Sequence, residues 1–257
     1  MIATHWSRGE ATAFVDAARS VPNDSITACS SWVAHDVLAH AVAGGAEIAR
    51  LVGLHLRGDN VGATARFEDR EPSFRALAYS DLIDLVEAGG IFDLLAALPD
   101  EADGGALPFT GWTMSADTLA LHVRSELAIH RWDLVGSDPV SCELLAQPEL
   151  TSHAVRALHH FDVINERATN RTQSMLRLGS SALEVRLRVD DQPDVVVRAS
   201  SEATEVFVDE QSGDASITTD ATARLLMLWG RTPPQTHRAT TSLASKDLQT
   251  LQRWLYQ

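Results

Sequence analysis

The hydrophobic pattern of this chain changes its period once, and that change limits the folds that the chain can adopt. Up to about residue 165, apolar residues recur at the three- and four-residue spacings of amphipathic helices. From Leu183 to Val189, apolar residues instead alternate with charged ones, which is the period of a half-buried strand. We therefore predict an α+β protein of two domains, with a helical domain at 1–168 and a small α+β domain at 173–257.

Local signals place the elements within each domain. The predicted helices of the first domain cover 9–19, 33–56, 80–98 with a break at Gly89–Gly90, 115–135 and 148–166. In the second domain, strands are predicted at 183–189, 195–197, 205–208 and 215–219, and helices at 221–229 and 245–256. Ser80 and Ser115 are suitable N-caps, whereas Val33 cannot accept a capping hydrogen bond, at a cost of about 1 kcal/mol.

Composition excludes several classes of function. The chain has 257 residues and a formal charge of −14, which argues against nucleic acid or an anionic membrane as a partner. No apolar run approaches the ~18 residues of a membrane span, and the N-terminus does not have the pattern of a signal peptide, so we expect a cytoplasmic protein. Cys29 and Cys142 are the only cysteines, which excludes a disulfide scaffold and an all-cysteine metal site.

The most informative polar residues are Glu126 and His130, which lie four positions apart and so share one face of a helix. This spacing alone is weak evidence for a functional site, because Glu149 and His153 have the same spacing. On a helical wheel, however, Glu126 and His130 fall within the apolar arc of their helix, whereas Glu149 and His153 fall on the rim of theirs. Groups in an inward-facing arc must be paired or bind a metal, since burying them alone costs several kcal/mol.

A third metal ligand would come from a neighbouring helix, and His40 is placed to provide it. Asp36 and Glu47 flank His40 along the predicted helix and could hold its second ring nitrogen, as metal-bound histidines require. A His/Glu/His set inside a bundle leaves one position open, which is typical of a catalytic zinc site. The alternative interpretation is a buried Glu126–His130 ion pair with His40 as a core histidine.

At these residues the chain resembles a known family. The segments WVAHDVLAH (Trp32–His40), RSELAIHRWD (Arg124–Asp133) and LLMLWGR (Leu225–Arg231) are similar to those of the mycothiol-dependent maleylpyruvate isomerases. The resemblance implies a DinB-like metal-binding four-helix bundle followed by a small α+β domain. It also implies that His40, Glu126 and His130 bind Zn²⁺ or another divalent metal.

The resemblance further implies mycothiol as a thiol cosubstrate that attacks a small-molecule electrophile. Expulsion of the thiol after bond rotation would make the chain a maleylpyruvate-type isomerase, whereas a stable thioether product would make it a thiol S-transferase. Arg231 and Arg224 could bind the substrate, the alternative being solvated surface arginines. His122 and Asp133 could support the metal ligands or relay a proton, the alternative for Asp133 being a structural carboxylate at the helix end.

Two other classes of function remain open at this stage. The same metal ligands could activate water in a metal-dependent hydrolase, or the bundle could bind a small molecule without catalysis. In each case we expect a monomer or small homo-oligomer without nucleic-acid or membrane partners.

Overall fold

The structure is a computed structural model that describes residues 9–29, 31–100, 104–160, 183–199, 204–210, 213–231, 238–248 and 251. The chain divides into two compact units, Met1–Leu144 and Leu145–Gln257. The domain boundary predicted at 168–173 lies outside the described residues. The helical pattern that begins at Pro148 is grouped with the second unit, although sequence periodicity alone places it with the preceding helices.

The first unit is mainly helical. Its helices are α1 (Gly9–Ser20), α2 (Ala34–Leu56), α3 (Phe67–Arg70), α4 (Pro72–Arg75), α5 (Tyr79–Ala88), α6 (Ile91–Ala96) and α7 (Ala116–Val135), followed at its boundary by α8 (Pro139–Leu145). The short helices α3, α4 and α8 were not predicted, and α5 begins before Ser80, with Ala78 as its N-cap.

Helix α2 is central to this unit. It packs against α4, α5, α6 and α7, while α1 packs against α5 and α7. Val37, Leu38 and Leu51 are almost fully buried on α2. Among the described helices, α2 alone has the length and composition to cross a membrane, but 44% of its most apolar window is buried. The packing of α2 against four other helices is that of a core helix, and core helices can have the length and composition of a membrane span.

The ends of the two long helices follow from residues near them in sequence. Val33 is the N-cap of α2, and its N–H donates to the Asp36 carboxylate at 3.1 Å, although its own side chain cannot cap. Ser115 caps α7 by accepting a hydrogen bond from the Thr118 N–H, and α7 ends at Gly136, which has φ of 76°. The predicted caps of both helices are thus confirmed.

A β-hairpin that the sequence reading did not include leads into α7. Strands β1 (Ala106–Phe109) and β2 (Trp112–Ser115) pair antiparallel. The two turn residues, Thr110 and Gly111, have φ of 50° and 86°, as two-residue hairpin turns with the twist of the strands require. The hairpin therefore sets where α7 begins, because β2 ends at the N-cap of that helix.

In its described residues, the second unit contains a five-stranded sheet, two named helices and a short helical segment at 245–248. Its elements are α9 (Pro148–His160), β3 (Leu183–Arg188), β4 (Asp194–Ala199), β5 (Thr204–Asp209), β6 (Ile217–Thr219), α10 (Ala221–Leu228) and β7 (Ala239–Thr241). The strand order is β5-β4-β3-β6-β7, with β3 and β6 parallel and the other pairs antiparallel. Helix α9 packs against α10 and β5. The four predicted strands and the helix at 221–229 are present, and residues 245–248 are helical, while most of the remaining predicted helix to 256 lies outside the described residues.

Candidate metal centre

Three side chains from α2 and α7 bring metal-ligating atoms together. His40 lies on α2, and Glu126 and His130 lie one turn apart on α7. One ligand atom from each lies within 4.8 Å of the others. The Glu126 Oε2 atom is 3.8 Å from His40 Nε2 and 3.5 Å from His130 Nε2. The two Nε2 atoms and this carboxylate oxygen therefore face a common point, and we call this set the metal centre.

A second carboxylate orients each imidazole of the metal centre. The Nδ1 atom of His40 lies 2.6 Å from Glu71 Oε1, and the Nδ1 atom of His130 lies 2.9 Å from Asp133 Oδ2. A carboxylate at Nδ1 stabilises the tautomer whose proton is on Nδ1, which leaves the Nε2 lone pair free to bind a metal. In both rings the carboxylate thus favours the orientation and the Nδ1 protonation that metal ligation through Nε2 requires.

Glu71 is itself fixed by a neighbouring arginine. Arg75 donates to Glu71 Oε2 from Nε and Nη2 at 3.2 and 2.9 Å, and it also contacts Asp36. The prediction that Asp36 or Glu47 holds His40 is therefore wrong. Glu47 is instead engaged by Arg50 and by the Ala65 N–H. The helical wheel relates residues of one helix only, so it could not place Glu71, which lies 31 positions beyond His40.

Aromatic rings surround the two imidazoles. The Trp32 ring centroid lies 5.0 Å from that of His40 and 6.4 Å from that of His130, and the Phe67 ring lies 5.6 Å from His40. The His130 side chain is only 6% exposed, while that of Glu126 is 30% exposed. The metal centre is thus packed on the histidine side and accessible to solvent at its carboxylate.

The side chains of the metal centre strongly perturb one another's protonation. Burial opposes the charge on Glu126, but hydrogen bonds to His130 and His40 hold the pKa of Glu126 well below its ordinary value. Burial likewise opposes the charge on His130, but Asp133 and Glu126 raise the pKa of His130 to about 9. Without a metal, a proton therefore occupies His130 at neutral pH, so metal binding must displace it.

No family model and no curated protein matches the chain. Among solved structures, that of a mycothiol-dependent maleylpyruvate isomerase matches with 14% identity and a TM-score of 0.56, covering 92% of this chain and 90% of that one. A histidine-to-alanine variant of such an isomerase matches over the same shares with 15% identity and a TM-score of 0.58.

The chain has the fold of mycothiol-dependent maleylpyruvate isomerase. The resemblance inferred from the short sequence motifs is thus confirmed for the fold as a whole. At this low identity, the isomerase structures establish the fold and leave the reaction of this chain to be argued from its own residues.

The remaining predicted residues are divided between the two units of this isomerase fold. His122 is 6% exposed, and its ring lies 5.2 Å from that of Phe109. Burial, the largest effect, lowers the pKa of His122, so its imidazole is neutral at pH 7. Asp133 contacts the Nδ1 atom of His130, one of the three residues of the metal centre. The metal ligands and both supporting candidates thus belong to the first unit.

Arg224 and Arg231 lie in the second unit. Arg224 is 2% exposed and donates to the Pro193 carbonyl at 2.8 Å and to the Gln192 side chain. Arg231 donates to the Trp229 carbonyl at 3.3 Å. Arg224 is therefore not a solvated surface arginine, because its guanidinium is used within its own unit. Substrate binding by either arginine stays a prediction.

The second Glu/His pair does not form a comparable site. Glu149 is exposed, whereas His153 is 1% exposed with its ring 6.5 Å from that of Trp229. The interpretation of His153 as a rim residue is wrong, because α9 packs against α10 on that side. Among the described residues, the one group of three or more side chains that could hold a metal ion is that of His40, Glu126 and His130.

Two further residues near the metal centre, Glu71 and Arg70, were missed by sequence reasoning. They belong to the charged run that follows Phe67, which reads as an ordinary solvated segment. No periodicity connects this run to α2 or α7, so only the three-dimensional structure brings it to His40.

Proposed function

We propose that this chain is a metal-dependent enzyme that uses zinc to activate mycothiol for attack on a small electrophile, as a thiol S-transferase or a maleylpyruvate-type isomerase. The observation that carries the proposal is the pair of imidazoles whose Nδ1 atoms are held by Glu71 and Asp133 while their Nε2 atoms face Glu126. The similar solved structures are those of a mycothiol-dependent maleylpyruvate isomerase, and this similarity supports the choice of thiol.

The residues present fit a divalent metal. Two imidazole nitrogens and one carboxylate oxygen are ligands that Zn²⁺ accepts, and three protein ligands with an open position are typical of catalytic zinc sites. The low pKa of Glu126 keeps its carboxylate ionised and ready to bind a cation. An ordinary ion pair would not need a second carboxylate at each imidazole, whereas metal-bound histidines commonly have one.

When bound, zinc supplies a Lewis acid that lowers the pKa of a thiol reaching its open position. The chain's own residues have supporting roles. Glu71 and Asp133 position the two imidazoles, and the 30% exposure of Glu126 leaves a path to the ligand atoms from solvent. We assign His122 as the proton-accepting group, since its buried imidazole is neutral at pH 7. Arg231 and Arg224 remain our proposed substrate-binding residues.

Metal analysis tests the zinc proposal. We expect about one zinc per purified chain, as for a single catalytic site, and loss of that zinc in His130→Ala. The matched control is His55→Ala, which changes a histidine about 22 Å along α2 from His40 and should retain the metal. A wild-type chain without stoichiometric metal would contradict the proposal and favour a non-catalytic binding bundle.

Thermal unfolding of the zinc form with and without mycothiol tests the choice of thiol. Binding at a hundred times the dissociation constant would stabilise the protein by about 2.7 kcal/mol, which raises Tm measurably. No shift would favour a metal-dependent hydrolase. Mass spectrometry with cis-enediacids, epoxides and activated glycosides then separates the outcomes, because an S-transferase forms a conjugate whereas an isomerase rearranges the substrate without a change of mass.

The remaining expectations are part of the same proposal. We infer a cytoplasmic enzyme that acts as a monomer or small homo-oligomer on a small-molecule electrophile, without nucleic-acid or membrane partners. The negative formal charge of −14 supports the exclusion of polyanions.

A further inference from the structure

Arg70 is a partly buried cation beside the metal centre. It is the last residue of α3, directly before Glu71, and its Cζ atom lies 4.5 Å from the Phe67 ring centroid. Since that ring lies 5.6 Å from the His40 ring, the guanidinium is within about 10 Å of His40. Its charge acts on Glu126 and on His122. Arg70 therefore belongs to the surroundings of the metal centre.

Within the described part of the chain, Arg70 forms no hydrogen bond or ion pair, and its Nε atom is buried without a partner. A buried donor left without an acceptor costs free energy, so such groups are rare and call for an explanation. Burial, the largest effect, lowers the pKa of Arg70, but a guanidinium remains protonated in proteins. The protein thus holds a positive charge here, and the Nε donor of that charge has no partner among the described residues.

The carboxylates around Arg70 are already engaged by other groups. Glu71 binds His40 and Arg75, and Glu47 binds Arg50 and the Ala65 N–H. Glu126 faces the two imidazoles of the metal centre. Each neighbouring negative charge therefore has a partner of its own, and none of them satisfies Arg70. An acceptor for this guanidinium has to come from outside the described residues.

A route for such an acceptor is open on the Phe67 side. Phe67 is 42% exposed although it lies against both the Arg70 guanidinium and the His40 ring. A small molecule that enters along this ring meets the arginine and the metal centre together. The guanidinium has a planar fork of donors that matches a carboxylate in a bidentate arrangement.

We propose that Arg70 binds a carboxylate of the electrophilic substrate while the reacting part of that substrate lies at the metal centre. The proposal rests on the function proposed above and adds to it the residue that binds the carboxylate of the substrate. Arg70 is then a specificity-determining residue, whose guanidinium pairs with the substrate carboxylate.

The test is a calorimetric titration of maleate, in the absence of thiol, into the zinc-loaded and the metal-free protein. We expect Arg70→Gln to weaken maleate binding about ten-fold or more, as loss of a hydrogen-bonded charge pair requires. Arg70→Lys should recover only part of the affinity, because an ammonium group cannot form the planar fork. Arg66→Gln is the matched control, since Arg66 lies four positions away with a side chain that is 79% exposed, and it should bind as the wild type does.

Dimethyl maleate provides a second comparison, because it keeps the carbon skeleton but has no negative charge. The wild type and Arg70→Gln should bind the ester with equal affinity. Maleate affinity in Arg70→Gln within two-fold of the wild type, or no measurable affinity in the wild type, would overturn the proposal. Full recovery in Arg70→Lys would overturn the bidentate contact.

Zinc content and Tm of each variant are measured alongside the titrations. We expect Arg70→Gln to keep its zinc, because Arg70 is not a ligand. If the wild type binds no zinc, the proposed function fails, but the titration of the metal-free protein still decides whether Arg70 binds carboxylate.

Discussion

Substitution of Glu71 tests most directly whether the protein orients His40 for metal binding. Its side chain is only 8% exposed, and its two oxygens have different partners: Oε1 lies 2.6 Å from His40 Nδ1, and Oε2 accepts from Arg75 at 2.9 Å. Glu71→Gln keeps the shape of the side chain and removes its charge. Because the two ends of an amide differ, the variant cannot satisfy both partners.

Each orientation of the new amide is unfavourable. With its oxygen toward His40, the amide NH₂ group faces the donors of Arg75. With its oxygen toward Arg75, the NH₂ group faces His40 Nδ1 and favours the tautomer protonated on Nε2, which has no lone pair for a metal at the nitrogen that faces Glu126. Loss of such a supporting partner costs ten- to a hundred-fold in metal affinity, or about 1.4–2.7 kcal/mol.

The assay is competition for zinc between the protein and a chromophoric chelator at fixed pH. Glu68→Gln is the control, because Glu68 lies on α3, the helix that ends directly before Glu71, and its side chain is 71% exposed. The zinc affinity of this variant should equal that of the wild type. Unchanged zinc affinity in Glu71→Gln, with the protein folded, would refute the reasoning that Glu71 prepares His40 for the metal.

Two further predictions concern stability. Gly45 lines a cavity of about 600 Å³ beside α2, and a Cβ atom at this position would meet nothing within 4 Å. Gly45→Ala should therefore stabilise the protein by about 1 kcal/mol, because alanine has the higher helix propensity. An unchanged or lower midpoint of urea unfolding would contradict this prediction. The Arg131 guanidinium lowers the pKa of Asp138 from 3.8 to about 2, so this pair contributes stability above pH 3.8 that is lost as the pH falls through 2. We expect Asp138→Asn to lower the free energy of unfolding by about 1 kcal/mol after allowance for solvent screening. This difference from the wild type should shrink as the pH falls from 3.8 to 2. A difference that does not depend on pH would exclude the Arg131–Asp138 pair as its cause.

The parts of the fold that depend on residues close together in the sequence were predictable from it. Ser115 and Gly136 bound α7 because a cap needs only a suitable residue at the helix end. The alternation from Leu183 onwards identified β3 because its even positions face away from the core. The β1–β2 hairpin was missed although Thr110–Gly111 is a plausible turn, since four-residue strands are too short to establish a period.

In the metal centre, too, only relations between residues close in sequence were predictable directly. Glu126 and His130 are one turn apart, so their shared face follows from helical geometry alone. His40 required the assumption that a neighbouring helix supplies the third ligand; its place on the helical wheel suggested it, and the family resemblance then implied the same residue. Glu71 depends on how α3 and α4 fold back on α2, and neither helix has a periodic signal of its own. The side chains that orient the ligands are therefore harder to infer than the ligands themselves.

The formal charge of −14 does not describe the surroundings of the metal centre. There, the carboxylates of Asp36 and Glu71 are bound by Arg75, and that of Glu47 is bound by Arg50. Pairing of this kind cancels the negative charges locally and leaves the Arg70 guanidinium without an ion pair among the described residues. A chain with a large net negative charge can therefore still bind a small anion at one site, because a nearby unpaired cation determines the local potential more strongly than screened distant charges do.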